Sequence, residues 1–271
     1  MNTSFSHMVD NFDKVTIVTG GSKGIGEGCA RVFVRAGAKV VVCARGSEAG
    51  EALAAELAAT GPGTCHFIQC DVTQPEQISR VVEDTVKLHG RLDVLINNAG
   101  WHPPHKTIDD FSIDEFKQLL QLNLVSYFAA CKAALPHLRR TQGAIINMSS
   151  LVGSIGQEWA TTYAATKGGI IGLTKALAVD DARNGVRVNV VLPGAIATPL
   201  VESFMEAPAQ RDFIESWGWN GRVGTIEEVG EACLFLASES ASFITGVELV
   251  ISGGAELAYG TKYTKGGQVR L

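Results

Sequence analysis

The chain lacks both an excess of positive charge and a long uninterrupted apolar run. Its 271 residues carry 23 Lys and Arg against 28 Asp and Glu, which gives a formal net charge of −5. A nucleic-acid-binding domain usually carries a basic patch, so this balance argues against nucleic acid as a partner. No stretch reaches the roughly 18 consecutive apolar residues that a membrane-spanning helix needs. We therefore expect a protein that binds neither nucleic acid nor membrane.

The sequence also lacks the cysteine spacings of a metal site. Its six cysteines form no CxxC pair, and most lie in apolar segments, where a free cysteine behaves as a small hydrophobe. The first residues, Met1 to His7, lack the basic segment and apolar run of a secretory signal. We expect reduced cysteines and a cytoplasmic protein. His102 and His105 lack an evident third ligand, and catalytic zinc normally uses three, so we expect no bound metal.

Apolar runs alternate with helical patterns along the whole chain. The predicted strands are residues 15–19, 39–43, 65–70, 92–97, 144–148, 186–192 and 248–251. The main predicted helices are residues 24–36, 48–60, 76–89, 113–140 and 162–184. This alternation, with continuous apolar strands, predicts a parallel sheet with helices on both faces. The length would suit two domains of about 150 residues.

No linker or repeat divides the chain, however. We therefore expect one doubly wound, Rossmann-like α/β domain over residues 1–271, with a seven-stranded parallel sheet. Residues 196–221 are predicted to form a small helical lid over the substrate. Residues 261–271 are polar and contain glycine, and we expect a flexible tail there.

A glycine-rich turn joins the first predicted strand to the first helix. Glycines in this context let the backbone approach a pyrophosphate, and the helix N-terminus offers free N–H groups. The turn therefore predicts a dinucleotide-binding site, and a glycine turn without a ligand is the alternative. The residues expected to bind the cofactor are Gly20, Ser22, Lys23, Gly24, Ile25 and Gly26.

The end of the second strand bears on which cofactor binds. A fold that prefers NAD places Asp or Glu about 20 residues after the glycines, where it binds the ribose 2′-hydroxyl. Ala44 stands there, and Arg45 follows it. Arg45 and Lys23 would attract a 2′-phosphate, which a carboxylate would repel. We favour NADP(H). NAD(H) stays possible, because Glu48 could pair with Arg45 instead.

Tyr163 and Lys167 lie four residues apart on a predicted helix, which places them on one face. A free tyrosine titrates near pH 10, and a neighbouring ammonium and a positively charged nicotinamide would lower that pKa. Ser149 and Ser150 follow one strand, and an Asn-Asn-Ala-Gly segment that begins at Asn97 follows another. Ligands bind at this edge of doubly wound sheets. The pattern predicts a proton-transfer site.

These motifs together resemble the short-chain dehydrogenase/reductase family. The similarity rests on TGGSKGIG, NNAG, a serine 13 residues before the tyrosine, and the Tyr-x-x-x-Lys spacing. The resemblance implies that Tyr163 donates or accepts the reacting proton and that Lys167 holds the nicotinamide ribose and tunes Tyr163. It implies that Ser150 orients the substrate oxygen and that Asn123 holds a water in a proton relay.

The same resemblance implies further contacts with the cofactor and with other copies of the chain. The additional cofactor residues are Asp71, Val72, Asn97, Ala99, Gly100, Tyr163, Lys167, Pro193, Gly194, Ile196 and Thr198. The long helices are rich in small residues. Members of the family usually assemble into tetramers through these helices, which implies a homo-oligomer.

Segments around the expected site resemble family members that act on hydroxysteroids or on L-fucose. The residues expected to contact the substrate are Trp101, His102, Gln157 and Val201, and Trp159 is expected at the rim. Aromatic faces suit either a steroid or the apolar face of a sugar. Those members carry an acidic residue in place of Ala44 and prefer NAD, so the resemblance and the charged residues point to different cofactors.

The leading hypothesis is an oxidoreductase that moves a hydride between NADP(H) and a secondary alcohol or ketone. Its small-molecule substrate would be a sugar or a hydroxysteroid. A 3-oxoacyl reductase is an alternative activity. A dinucleotide-binding redox sensor without catalysis is an alternative of another class. The presence of all four catalytic positions argues against the sensor.

Overall fold

A seven-stranded parallel sheet forms the centre of the molecule in the computed structural model, which describes residues 13–257. Its strand order is β3-β2-β1-β4-β5-β6-β7. The strands are β1 (Val15–Thr19), β2 (Lys39–Ala44), β3 (Thr64–Gln69), β4 (Val94–Asn97), β5 (Ala144–Met148), β6 (Arg187–Pro193) and β7 (Glu248–Ile251). The predicted doubly wound sheet is confirmed. Tyr259 and the predicted tail at 261–271 lie outside the described residues.

Ten α-helices occur within residues 13–257. They are α1 (Gly24–Arg35), α2 (Ser47–Thr60), α3 (Pro75–His89), α4 (Ile113–Leu120), α5 (Ser126–Thr141), α6 (Val152–Ile155), α7 (Thr161–Asp181), α8 (Pro199–Ser203), α9 (Pro208–Glu215) and α10 (Ile226–Ala237). No helix in this part of the chain has both the length and the apolar character to cross a membrane.

Two apolar cores cover the two faces of the sheet. One core joins α1, α2 and α10 to the sheet, and the other joins α3, α5 and α7 to it. Along β2, Val40 and Val42 belong to the first core, whereas Val41 and Cys43 belong to the second. Successive side chains of a strand point to opposite faces, which explains why these strands are apolar throughout. All six cysteines are buried, as their apolar surroundings predicted.

The predicted helix at 113–140 is not a single regular helix. A π-helical turn at Gln121–Val125 separates α4 from α5. A capping box fixes the start of α4, because the Ser112 hydroxyl accepts from the Glu115 N–H and the Glu115 carboxylate accepts from the Ser112 N–H. Asn123, a predicted catalytic residue, lies in the π turn and is fully buried. Such turns often occur at functional sites.

The predicted lid at 196–221 contains two short helices, α8 and α9. Backbone hydrogen bonds anchor its far end, because Trp219 N donates to Gly253 O at 2.8 Å and Gly224 N donates to Ala195 O at 2.9 Å. This segment starts after β6, and the 253–254 turn follows β7, the strand next to β6 in the sheet. The segment therefore begins and ends near the carboxyl edge of the sheet, and closure over a substrate stays a prediction.

Candidate active site

The predicted site residues converge at the carboxyl ends of the central strands. The strand order changes direction between β1 and β4, which begin the two halves of the sheet. The glycine loop follows β1, Asn98 to Gly100 follow β4, and Ser150 follows β5. Ligands of doubly wound folds bind in the crevice at such a switch point.

The glycine loop is joined closely to the segment that follows β4. The Thr19 hydroxyl accepts from the N–H groups of Asn98 and Ala99, at 3.0 and 3.1 Å. The Asn98 amide donates to the carbonyls of Thr19 and Gly20. Gly20 has φ +65, and a Cβ there would lie 2.8 Å from the Ala99 Cα. Sequence reasoning missed Thr19 and Asn98 as supports of the loop.

The glycine loop also faces the start of α8. A Cβ on Gly24 would lie 3.4 Å from the Thr198 methyl carbon. Thr198 caps α8, because its hydroxyl accepts from the Val201 N–H at 3.4 Å. The first N–H groups of a helix such as α1 lack partners within the helix. A cradle of glycine backbone beside these groups fits the pyrophosphate of a nicotinamide dinucleotide.

Three predicted cofactor residues place their side chains inside the protein. The Asn97 amide is fully buried and donates to Asn147 Oδ1 at 2.9 Å and to Cys131 Sγ at 3.3 Å. The side chains of Val72 and Ile196 belong to the apolar cores. The Asn97 side chain is thus engaged inside the protein, and the contact of these three residues with a cofactor stays a prediction.

Asp71 holds the turn that follows β3. Its Oδ1 accepts from the Thr73 N–H at 2.9 Å and from the Thr73 hydroxyl at 2.8 Å. The Asp71 N–H donates to the side chain of Gln77 at 2.9 Å. The carboxylate is half-buried at the expected adenine end of the crevice. Its contact with a cofactor stays a prediction.

Lys167 is the buried cation of the site. Lys167 is only 4% exposed, and its Nζ donates to the Met148 carbonyl at 2.9 Å. The Tyr127 hydroxyl donates to the same carbonyl at 3.1 Å. The Nζ atom lies 5.6 Å from the centre of the Tyr163 ring. A Cβ on Gly100 would lie 3.6 Å from Nζ, so Gly100 leaves space at the amine.

Burial controls the ionisation of this pair in the protein alone. Desolvation lowers the pKa of Lys167 to about 7 and raises the pKa of Tyr163 to about 12. A hydrogen bond with Ser150 acts on the pKa of Tyr163 in the opposite, lowering direction. The expectation that an ammonium together with a bound, positively charged nicotinamide lowers the pKa of Tyr163 stays a prediction. In the protein without a bound nicotinamide, these effects favour the protonated form of the Tyr163 hydroxyl at neutral pH.

The two serines after β5 have different partners. A side-chain hydrogen bond with Ser150 lowers the pKa of Tyr163, and the Ser150 hydroxyl also accepts from the Val152 N–H at 3.3 Å. The role of Ser150 in orienting the substrate oxygen stays a prediction. Ser149 is buried, and its hydroxyl donates to the Lys167 backbone carbonyl at 2.7 Å. Ser149 therefore fixes the helix that carries the pair, whereas Ser150 faces the reacting tyrosine.

Asn123 fastens the loop that carries the predicted substrate residues. Its Oδ1 accepts from the Trp101 N–H at 2.9 Å, and its Nδ2 donates to the Trp101 carbonyl at 3.0 Å. The same Nδ2 lies 3.2 Å from the Thr166 hydroxyl. The side chain of Asn123 therefore positions the Trp101 backbone beside α7. Its part in a water relay stays a prediction.

His102 lies directly against Tyr163, the tyrosine that is expected to transfer the proton. The two rings are 4.2 Å apart between centroids and are tilted by 44°. The His102 Nδ1 lies 2.7 Å from the Pro103 carbonyl, which assigns the proton to Nδ1 and leaves Nε2 as an acceptor. Desolvation is the main cause that lowers the pKa of His102. A neutral imidazole, with Nε2 as its acceptor atom, therefore stands beside Tyr163.

Other predicted substrate residues surround this imidazole. Gln157 contacts His102, and its Nε2 lies 3.3 Å from the His105 Nε2. Trp101 is exposed beside them, and Val201 lies partly buried on α8. Within residues 13–257, no three His, Cys, Asp or Glu side chains are grouped as metal ligands.

Comparison with known proteins shows the family. A family model described as enoyl-(acyl carrier protein) reductase matches residues 20–256. The L-fucose dehydrogenase of Bos taurus is 48% identical over 253 residues, which are 92% of each chain. The chain belongs to the short-chain dehydrogenase/reductase family. It is therefore an NAD(P)-dependent oxidoreductase that acts on CH–OH groups.

Other members of the short-chain dehydrogenase/reductase family match nearly the whole chain. A cyclopentanol dehydrogenase of Comamonas testosteroni is 37% identical, with 89% of this chain and 96% of that protein covered. The crystal structure of gox2181 has a TM-score of 0.88 at 27% identity and covers 94% of this chain and all of that one. The crystal structure of Cj0485 dehydrogenase has a TM-score of 0.85 at 30% identity, covering 94% and 98%.

Proposed function

We propose that this enzyme oxidises a sugar of the L-fucose type at a secondary C–OH group and reduces the corresponding carbonyl compound. The observation that carries this proposal is the polar lining beside Tyr163. The ring centroid of His102 lies 4.2 Å from that of Tyr163, its Nε2 is an acceptor, and Gln157 contacts the imidazole. A substrate with several hydroxyl groups satisfies such groups better than an apolar steroid skeleton does. Relatives at 47–48% identity are L-fucose dehydrogenases.

Oxidation of the alcohol transfers a hydride to one acceptor and a proton to another. A nicotinamide cofactor held at the glycine loop would supply the hydride acceptor for oxidation of the alcohol and the hydride donor for reduction of the carbonyl compound. Tyr163 takes the hydroxyl proton during oxidation and returns it during reduction. Ser150, which is hydrogen-bonded to Tyr163, holds the substrate oxygen at the same place. Lys167 supplies positive charge near the tyrosine, which favours its deprotonated form.

Lys167 also offers a route by which the proton leaves the site. Its pKa of about 7 allows it to gain or lose a proton at neutral pH. Its Nζ donates to the Met148 carbonyl, and the Tyr127 hydroxyl donates to the same carbonyl. The amine therefore keeps one position in both protonation states. This arrangement suits a group that exchanges protons during each turnover.

We propose NADP(H) as the preferred cofactor, with NAD(H) as the alternative. Arg45 and Lys23 are exposed at the two sides of the expected ribose position. Within residues 13–257 neither forms an ion pair, and the possible Glu48–Arg45 pair is not formed there. The Gln69 amide donates to the Arg45 carbonyl at 2.8 Å and fixes the turn. Both cations therefore stay available to a 2′-phosphate.

We propose further that the enzyme is a cytoplasmic homotetramer. Val125, Phe128 and Val179 are exposed on the long α5 and α7 region, where the family resemblance places subunit contacts. Gly172 on α7 has open space beside its Cα. By contrast, Ala130 and Ala134 are used inside the subunit core. Exposed apolar side chains together with open glycine surface suit close helix packing between copies.

Initial-rate measurements test the proposed substrate and cofactor. Purified enzyme is given L-fucose, estradiol or a 3-hydroxyacyl thioester, each with NAD⁺ and with NADP⁺. We expect L-fucose with NADP⁺ to give the highest kcat/KM. Faster turnover of estradiol or of the thioester would overturn the sugar assignment. Higher kcat/KM for NAD⁺ than for NADP⁺ would overturn the cofactor assignment alone.

A further inference from the structure

A recess lies beside the loop that carries His102, outside the catalytic group. It is shallow and open to solvent, has a volume of about 460 Å³, and is lined by His105, Lys106, Thr107, Asp110 and Trp159. This volume falls within the roughly 300–1,000 Å³ that small-molecule sites occupy. The proposed reaction uses none of these five side chains.

Trp159 stands at this recess in an unusual backbone conformation. Its φ of +59 lies in the left-handed region, which bulky residues rarely adopt. Its carbonyl accepts from the Lys106 N–H at 3.1 Å, which ties it to the opposite side of the recess. The residue is nevertheless 53% exposed. The backbone of Trp159 is therefore strained, although its indole is only partly buried.

The polar lining of the recess faces a flat aromatic surface. The Thr107 hydroxyl donates to Asp110 Oδ2 at 2.6 Å, which orients the exposed carboxylate. The Lys106 amine is held away by Glu115, at 2.6 Å. A carboxylate accepts from hydroxyl groups and repels anions, while an indole face packs against the C–H face of a pyranose. The combination suits a neutral polyhydroxylated ring.

The recess adjoins the catalytic site through two imidazole rings. The ring of His105, which lines the recess, lies 5.1 Å from the ring of His102. The ring of His102 in turn lies 4.2 Å from that of Tyr163. A single sugar ring that reacts at Tyr163 would therefore not fill the recess. A group attached to that ring could occupy the recess.

We propose that the Trp159 recess is a subsite for a second pyranose ring, so that the enzyme accepts a disaccharide whose reducing-end sugar is oxidised at Tyr163. This inference rests on the proposed sugar substrate. Trp159 would stack on the second ring, and Asp110 would accept hydrogen bonds from its hydroxyl groups. Trp159 is then a binding residue with no part in proton or hydride transfer.

Replacement of Trp159 by glycine tests the subsite without disturbing the turn. Glycine adopts φ near +59 without strain, so Trp159→Gly keeps the backbone and removes only the indole. The substrates are L-fucose, a disaccharide with L-fucose at its reducing end, and cyclopentanol. We expect the wild-type KM for the disaccharide to lie below that for L-fucose. In Trp159→Gly we expect that KM to rise about tenfold with kcat retained.

Cyclopentanol and two further variants serve as controls. Cyclopentanol is too small to reach the recess, so its KM should change less than about twofold, the level at which a lost contact is negligible. Trp159→Phe should recover part of the disaccharide affinity. Phe243→Ala removes a fully exposed ring elsewhere and should change none of the constants. A Trp159→Gly enzyme with an unchanged KM for the disaccharide would overturn the subsite.

A binding measurement separates failure of the subsite from failure of the proposed function. The disaccharide is titrated into wild-type and Trp159→Phe enzyme, and the change in tryptophan fluorescence is recorded. The subsite predicts a saturable change that is lost in the variant. If L-fucose is turned over but this change is missing, the subsite is wrong and the function stands. If neither sugar is oxidised, the function is wrong, and the titration still decides the subsite.

Discussion

Replacement of Lys167 by methionine should stabilise the protein while it abolishes activity. The lysine is 4% exposed, and burial lowers its pKa to about 7 from an ordinary value of 10.5. Each unit of difference is worth about 1.4 kcal/mol, so the buried ammonium costs at most about 5 kcal/mol at low pH. Loss of the hydrogen bond to Met148 offsets about 1 kcal/mol, although Tyr127 still donates to that carbonyl. We expect a gain of about 3 kcal/mol at pH 7.

The pH dependence of this gain is the sharper part of the prediction. Because the folded pKa of Lys167 lies below its unfolded value, the unfolded wild-type chain binds more protons between about pH 7 and pH 10.5. The stability of the wild type therefore rises with pH through this window. Lys167→Met lacks this proton uptake. Its advantage is largest below pH 7 and should fall by about 2 kcal/mol between pH 7 and pH 9.

Urea unfolding at one fixed protein concentration measures both effects. Wild type and Lys167→Met are compared from pH 6 to pH 9, so that other titrating groups cancel in the difference. Lys175→Met is the matched control, since Lys175 lies on the same helix with 58% of its side chain exposed. A stability difference that stays constant over this pH range would refute the titration of a buried Lys167 near neutrality.

Three further substitutions probe the cofactor cradle and the substrate loop. Arg45→Glu should raise the KM for NADP⁺ at least about tenfold and change the KM for NAD⁺ less than about twofold, because the glutamate would repel a 2′-phosphate that the arginine attracts. Equal effects on the two KM values would contradict the assignment. Gly20→Ala should abolish cofactor binding in a calorimetric titration, since its φ is +65 and its Cβ would clash, whereas Gly46→Ala, with open space, should bind normally. Asn123→Ala should lower the free energy of unfolding by about 2 kcal/mol and reduce kcat/KM, because the partly buried Trp101 N–H and carbonyl both lose their partner. An unaltered melting curve would argue against this role.

The strands and the position of the site could be predicted because local patterns determine them. The strands β1, β2, β4 and β5 are largely apolar runs, which is what burial on both sheet faces requires. The glycine loop, Ser150, Tyr163 and Lys167 are set by spacing along the chain. Their convergence follows from the parallel topology, which brings the carboxyl ends of all strands to one edge.

Features that depend on tertiary contacts could not be predicted. The π turn at Asn123 has the same helical hydrophobic pattern as its flanks, so only packing reveals it. Asn97 and Asn98 are adjacent and identical, yet the pleat turns Asn97 inward to Asn147 and leaves Asn98 to hold the glycine loop. The shared Met148 carbonyl, between Tyr127 and Lys167, links two helices that are distant in sequence. The direction of the Tyr163 pKa likewise depends on burial, which residue spacing does not report.

A single-turnover comparison of wild type and Tyr163→Phe tests the central claim most directly. Each enzyme, in excess over NADP⁺, is mixed with saturating L-fucose, and the formation of reduced cofactor is followed at its nicotinamide absorbance. Cofactor binding is measured separately by calorimetry. We predict full reduction by the wild type and none by Tyr163→Phe, with NADP⁺ bound equally by both. Reduction of the cofactor by Tyr163→Phe at the wild-type rate would contradict the assignment of Tyr163 as the proton-transferring group.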